Sequence, residues 1–282
     1  MKRKIGAIIS SLIILALMIA IVFTLSTLSG GASKQVRESM NFVKKLNSVN
    51  ALGNIEQLKD SDFKEVKNSS KSNSLVKYTL VTNNFGIDLD KEYNVVGFLN
   101  NVDNKAIGNV ISEDEAIEYA SKYLSEIITS DYKLKGIREV ELVDANSYTV
   151  VFYKYYKKYI SYSSEITIKI NKYNGELMAY SSVLEDEDSF ISKIEVKEKS
   201  ASEIAIKYLK DMNLIGIVED EPILAYIKVE TGINKLCYHV NVKITEGEDK
   251  DKVYTVIIDA ETANVLKSSL DATKLMPIKL GN

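Results

Sequence analysis

The chain repeats itself. Glu165–Tyr180 reads Glu-Ile-Thr-Ile-Lys-Ile-Asn-Lys-Tyr-Asn-Gly-Glu-Leu-Met-Ala-Tyr, with Ile166, Ile168 and Ile170 alternating against Thr167 and Lys169. That period of two marks a strand with one buried face. Asn171–Gly175 supplies turn chemistry before the apolar pattern resumes at Leu177. The same arrangement occurs where Tyr254, Val256 and Ile258 run into Asp259–Ala263 and Val265, and where Phe85, Ile87 and Leu89 run into Asp90–Asn94 and Val96. The copies are offset by 88 residues (258 − 170) and by 81 residues (170 − 89). A unit recurring at this period constrains the fold strongly, because each copy must form the same supersecondary structure and bury its faces on its neighbours.

Helix-period stripes precede two of the copies. Ser112-Glu-Asp-Glu115 has capping-box spacing, and Ala116, Ile117, Ala120, Tyr123, Leu124, Ile127 and Ile128 follow on one helical face. Ser200-Ala-Ser-Glu203 has the same spacing 88 residues on (200 − 112), with Ile204, Ala205, Tyr208 and Met212 as the corresponding apolar positions. A shared offset of helix start and final strand predicts equivalent units, each a helix followed by an antiparallel meander, hence an α+β module. Strands are predicted at Glu139–Val143, Tyr148–Tyr155 and Ile160–Ile170 in the second unit, and at Ile223–Val229, Lys235–Ile244 and Lys252–Ile258 in the third. A more degenerate first unit is read from an amphipathic helix at Ser33–Val49, a short strand near Phe63, and strands at Leu75–Val81, Phe85–Leu89 and Asn94–Phe98. The predicted organisation is an N-terminal segment 1–32, then units at 33–107, 108–190 and 191–282, the last with a C-terminal tail. The acidic run Glu185-Asp-Glu-Asp188 reads as a solvated linker between the last two units.

The N-terminus sets the expected topology. Met1-Lys-Arg-Lys4 is basic, and Ile5–Leu28 is 24 residues (28 − 5 + 1) without a charge. A helix needs roughly 20 residues to span the hydrocarbon core, whereas the apolar part of a cleavable signal has about 7–15. The expectation is a single-pass signal anchor at residues 5–28, with a cytoplasmic tip and everything from Ser33 onward outside the cell membrane. Cleavage within the small residues Ser29–Ser33 is the alternative. No cysteine follows the apolar run to accept a lipid.

Composition narrows the chemistry. The net charge of −3 argues against a nucleic-acid binder. The one cysteine, Cys237, forbids an intramolecular disulfide. No clustered His/Cys set, His-Glu-x-x-His, Gly-x-Ser-x-Gly or phosphate-binding loop is present, so neither a metal nor a cofactor is expected and no catalytic residue is assigned. Cys237 and His239, the only histidine, share one strand face. Leu236, Tyr238, Val240, Val242 and Ile244 take the apolar face, so Cys237 and His239 are predicted on an exposed polar one.

Tyr153-Lys-Tyr-Tyr-Lys-Lys-Tyr-Ile-Ser-Tyr162 is the most distinctive surface candidate, with no acid among its tyrosines and lysines. Tyr153, Lys154, Tyr155, Tyr156, Lys157, Lys158, Tyr159 and Tyr162 are the candidate partner-binding residues. Tyrosines offer large rigid contacts and lysines attract an anionic surface. The competing reading is a long hairpin whose tyrosines divide between core and solvent.

The helix starts Ser-x-x-Glu-Ala/Ile and the closing segment Ile258-Asp-Ala-Glu-Thr-Ala-Asn-Val265 resemble the PepSY domain. The family's closing strand carries a glycine in its turn. Gly175 keeps it, while Ala263 and Asn94 stand in its place in the other two copies. Such repeats behind an N-terminal anchor also resemble the YpeB spore-germination and YcdB-type families. The resemblance implies tandem cystatin-like modules outside the membrane that bind and regulate a secreted peptidase or cell-wall hydrolase, without catalytic residues. The alternatives are a hydrolase using scattered Asp and Glu carboxylates, or a sensor or accessory subunit of a membrane signalling complex.

Overall fold

Alternating strands and amphipathic helices assemble here into one continuous, mostly antiparallel sheet with helices against it. The computed structural model describes residues 33–53, 58–66, 76–101, 109–138, 146–183, 185, 187–229 and 232–270. The predicted span Ile5–Leu28, the predicted strand Glu139–Val143 and the tail 271–282 lie outside the described residues. No helix among the described residues is long and apolar enough to cross a membrane.

The first unit comprises α1 (Lys34–Ser48), β1 (Lys64–Val66), β2 (Tyr78–Val81), β3 (Phe85–Leu89) and β4 (Val95–Asn100). The second comprises α2 (Glu113–Ile127), β5 (Tyr132–Ile137), β6 (Ser147–Tyr156), β7 (Tyr159–Asn171) and β8 (Leu177–Ser182). After the short β9 (Phe190–Ile191), the third comprises α3 (Glu198–Asp211), β10 (Gly216–Val218), β11 (Ile223–Lys228), β12 (Asn234–Ile244), β13 (Val253–Asp259) and β14 (Val265–Ser269). The main path of the sheet runs β1-β2-β3-β4-β8-β7-β11-β12-β13-β14.

Two different joints hold this path together. β4 and β8, the closing strands of the first two units, pair antiparallel with Phe98 opposite Tyr180. β7 and β11 pair parallel through Ile160 with Ala225 and Ser161 with Tyr226. The two large hydrophobic clusters follow the first joint and not the second, which only the small cluster of Tyr153, Ile160 and Ala225 crosses. One cluster takes in Phe42 and Leu46 of α1, Phe85, Ile87 and Phe98 of the first unit, and Leu124, Ile168, Ile170 and Tyr180 of the second. A separate cluster holds Ala201, Ala205, Leu209, Tyr238, Val240, Val256 and Ile258 of the third unit.

The closing turns are alike despite their different residues. Asp90, Asn171 and Asp259 each accept a hydrogen bond at side-chain Oδ1 from the amide two residues on. Each turn then passes through a left-handed residue: Tyr93 (φ 72), Gly175 (φ 71) and Ala263 (φ 64). The first unit therefore places Tyr93, not Asn94, where the glycine stands, because its turn is one residue shorter.

The second helix start is as the spacing requires. The Glu115 amide donates to Ser112 Oγ (3.2 Å), and the Ser112 amide donates to Glu115 Oε2 (2.7 Å). The third helix start is not. α3 begins at Glu198 behind Lys197, so Ser200 lies inside the first turn and caps nothing. The buried stripe Ala116, Ala120, Leu124 recurs as Ala201, Ala205, Leu209, an offset of 85 (201 − 116) and not 88. Met212, matched from sequence to Leu124, sits at the helix C-cap and is exposed. A slip of three residues is nearly one helical turn, so the misaligned pattern still looked amphipathic.

Candidate functional site

The Tyr/Lys segment forms the tip of the β6–β7 hairpin, with Tyr156 opposite Tyr159 and Lys157–Lys158 as the turn. Its eight candidate residues part in three directions. Tyr153 is buried with Ile160 and Ala225, and Tyr155 and Tyr162 pack on this cluster. Tyr156 stacks on Phe190 at 3.9 Å and meets Tyr226 edge-on at 5.6 Å, while Tyr159 also faces Tyr226. These aromatics therefore close the seam with the third unit. Lys157 and Lys158 are exposed at the tip, lying over the rings of Tyr156 and Tyr159.

Lys154 points elsewhere, into an open cleft of about 420 Å³ between the first and second units. Asn41 and Lys45 of α1, Asp90 and Tyr93 of the β3–β4 turn, the segment after α2 and Tyr180 of β8 also line it. Burial pulls the Lys154 ammonium below the usual lysine range, with Asp90 and then Glu187 opposing that effect. Lys154 forms no ion pair among the described residues. Asp90 is committed to its own turn, accepting from the amides of Glu92 and Asn94 and from the Asn94 side chain. A partly desolvated cation without a paired carboxylate is suited to receive one from a ligand. Glu38 and Glu126 also line the cleft, so with Asp90, Lys45 and Lys154 its charged lining is of mixed sign. This cleft was not legible in the sequence, since α1 and the β3–β4 turn meet Lys154 only through the β4–β8 joint.

Cys237 and His239 correct the exposed-face expectation: they are 0% and 2% exposed. The alternation holds, but the second face of β12 is also covered, by the second unit's hairpin. Tyr162 lies edge-on to His239 at 4.8 Å. Neither imidazole nitrogen nor the Tyr162 hydroxyl has a hydrogen-bond partner among the described residues. Burial lowers the imidazole pKa to about 4, and burial together with Asp259 raises the Cys237 thiol to about 12. The thiol donates to the Lys235 carbonyl at 3.6 Å and stays protonated. Among the described residues no group of three or more metal-ligating side chains assembles. The acidic run departs from a solvated linker at Glu185, whose nearly buried carboxylate binds Lys228 at 2.9 Å and accepts from Asn234.

Residues 196–268 match the PepSY family, the peptidase propeptide and YPEB domain. No curated protein sequence matches the chain. Among solved structures, the C-terminal domain of Bacillus megaterium YpeB is similar at 19% identity with a TM-score of 0.51, covering 81% of this chain and 95% of that one. A protein described as a lipoprotein from Clostridium difficile 630 aligns at 15% identity over 58% of this chain and 95% of that one. Its TM-score of 0.18 is too low to carry an argument. The chain carries a PepSY domain in its third unit and has a YpeB-like α+β fold.

Proposed function

We propose that this protein is a membrane-anchored, extracytoplasmic, non-catalytic binding protein that captures and regulates a secreted peptidase or cell-wall hydrolase, with spore germination as the process to examine first. The observation that carries the reading is Lys154, a partly buried cation with no ion pair among the described residues, in an open cleft of a PepSY-containing chain. The basic tip and uncharged run at 5–28 support the anchored topology. Lys157 and Lys158 supply longer-range attraction for an acidic partner beside the seam.

The test is crosslinked capture by the full-length chain in the native envelope, comparing the parent with Lys154→Glu and with the double change Lys157→Glu, Lys158→Glu. Charge reversal in the cleft should reduce capture by about ten-fold or more. The tip variant should lose less, and its loss should shrink as salt rises. Undiminished capture by Lys154→Glu would remove the cleft from the reading. Hydrolysis of casein or peptidoglycan by the purified chain would replace binding with catalysis.

A further inference from the structure

The closing strand of this repeat is self-complementary, and the molecule shows how. β4 and β8 occupy equivalent places, each starting two residues after the left-handed turn residue. Val95 corresponds to Leu177 and Phe98 to Tyr180, both 82 apart (177 − 95, 180 − 98). In the antiparallel ladder Phe98 stands opposite Tyr180, flanked by Gly97 with Ser181 and Leu99 with Ala179. The two equivalent positions face each other, so a local two-fold axis passes through that pair. This is the geometry of an isologous contact. The helices obey it too: α1 and α2 pack together, and Phe42 reaches both Phe98 (5.4 Å) and Tyr180 (6.5 Å).

β14 is the same strand in the third unit, and it ends the sheet, pairing with β13 alone among the described strands. Val265 corresponds to Leu177 and Ser268 to Tyr180, both 88 apart (265 − 177, 268 − 180). Positions covered in the second unit are open and apolar here. Met212 corresponds to Ile127, which packs against the shared core, yet Met212 is 49% exposed. Leu270 corresponds to Ser182, which is buried, yet Leu270 is 45% exposed.

We propose that β14 pairs antiparallel with β14 of a second copy of this chain, repeating the β4–β8 contact about a two-fold axis at Ser268. The register follows from the internal pair. Ser268 meets its own equivalent, Lys267 meets Ser269 of the second copy, and Leu266 meets Leu270 of the second copy. Lysines are kept from opposing one another, and the exposed leucines become cross-strand neighbours. A short edge strand with a lysine is also a common way to discourage pairing. The exposed Leu266, Leu270 and Met212 around this edge tip the balance toward a covered surface. A small serine on the axis lets the two strands approach without a clash.

The experiment uses the full-length chain in detergent with single cysteines under mild oxidation. Buried Cys237 stays in place as an inert background. Ser268→Cys should give a disulfide-linked dimer in high yield, because residues directly opposite in an antiparallel pair have Cα atoms about 4.5–5.5 Å apart, within the range a disulfide spans. Lys64→Cys, at the other end of the sheet, should not. Without oxidant, light scattering should give twice the chain mass, and Leu270→Asp should raise the dimer dissociation constant at least about ten-fold. A monomer with no Ser268→Cys link at about 100 µM would overturn the proposal, since a contact of micromolar affinity would be almost fully formed at that concentration. Equal linking at Lys64→Cys would overturn it as random collision. A dimer unaffected by Leu270→Asp that fails to link at Ser268→Cys would show that another surface is used. Dimerisation seen only after removal of residues 271–282 would assign the edge to the chain's own tail instead.

Discussion

The two joints of this molecule use the same repeat in opposite ways. The first and second units meet strand to strand and share one apolar interior that runs from Phe42 to Tyr180. The second and third meet through two parallel residue pairs, an aromatic collar around Tyr226, and a polar network. In that network Ser163 Oγ donates to Asn234 Oδ1 at 2.6 Å, and the Asn234 amide nitrogen donates to Ser189 and Glu185. A shared core leaves neither half a complete interior of its own. A seam between finished cores leaves each side intact and places the cost of imperfect contacts at the seam, where the His239 imidazole and the Tyr162 hydroxyl find no hydrogen-bond partner among the described residues. Fusion therefore produces one cooperative body, and docking produces a joint whose strength depends on conditions.

The contrast can be broken most forcefully in the cores. Ile168→Ala should cost about 2–5 kcal/mol and lower the unfolding of the first and second units together. Val256→Ala should cost less and act on the third unit. Equal loss of amide protection near Phe42 in both variants would mean that the cores are not separate.

The seam should respond to acid. The unfolded imidazole takes a proton near 6.5 and the buried His239 only near 4, so between these values the unfolded state binds more protons. Stability then falls as pH drops through this window, by about 3 kcal/mol in all. Asp259 behaves differently. Burial works against its charge, but Lys235 and the amides of Glu261 and Thr262 outweigh it and depress its pKa. Its stabilising contribution is lost only below about pH 4. His239→Leu should flatten the upper window alone; a denaturation series in which it keeps the parent's slope would assign that slope to another group.

Smaller effects sharpen the comparison of turns. A Cβ at Gly175 would come within 2.7 Å of the Tyr119 ring in a left-handed backbone, so Gly175→Ala should cost about 1–3 kcal/mol. The third unit has Ile204 at the place of Tyr119 and already carries Ala263. Ala263→Gly should be neutral or stabilising by up to about 1 kcal/mol, and a loss larger than that would show that its methyl group packs usefully. The smallest change is expected at Thr167→Ala, within about 0.5 kcal/mol, because that side chain lies on the half-exposed face. Thermal melts that rank Thr167→Ala with Ile168→Ala would place a second layer against this face.

Periodicity carried much of the fold. The strands Phe85–Leu89 and Tyr159–Asn171 fall where alternation puts them, because a half-buried strand must alternate, whereas Ser147–Tyr156 is buried on both faces from Thr149 to Tyr153. Alternation reports one face, however, and cannot say what covers the other. Cys237 and His239 look like surface residues by that rule, and only the second unit's hairpin buries them. The helix offset misled for a related reason, as a three-residue slip nearly restores the stripe and Ser200 imitates a cap. The cleft around Lys154 depends on which edges join. The paired aromatics Phe98 and Tyr180 were the available signal, since a closing strand with a large apolar residue at its centre needs a cover.

β7 carries a further consequence. One edge of this strand serves β8 through Ile166–Ile170 and β11 through Ile160 and Ser161, with the register against β6 shifting between Tyr153 and Lys154. The third unit thus attaches to a strand that local hairpin closure must first create. Its own docking contact spans 65 residues (225 − 160), whereas the hairpin closes over the two residues Lys157 and Lys158. Short closures form faster than long ones. The expected order of folding at that edge is therefore hairpin first, β8 next and docking of the third unit last. In the native state the sequence runs backwards, so the Tyr226 and Ile160 amides should open to solvent while Ile168 stays protected.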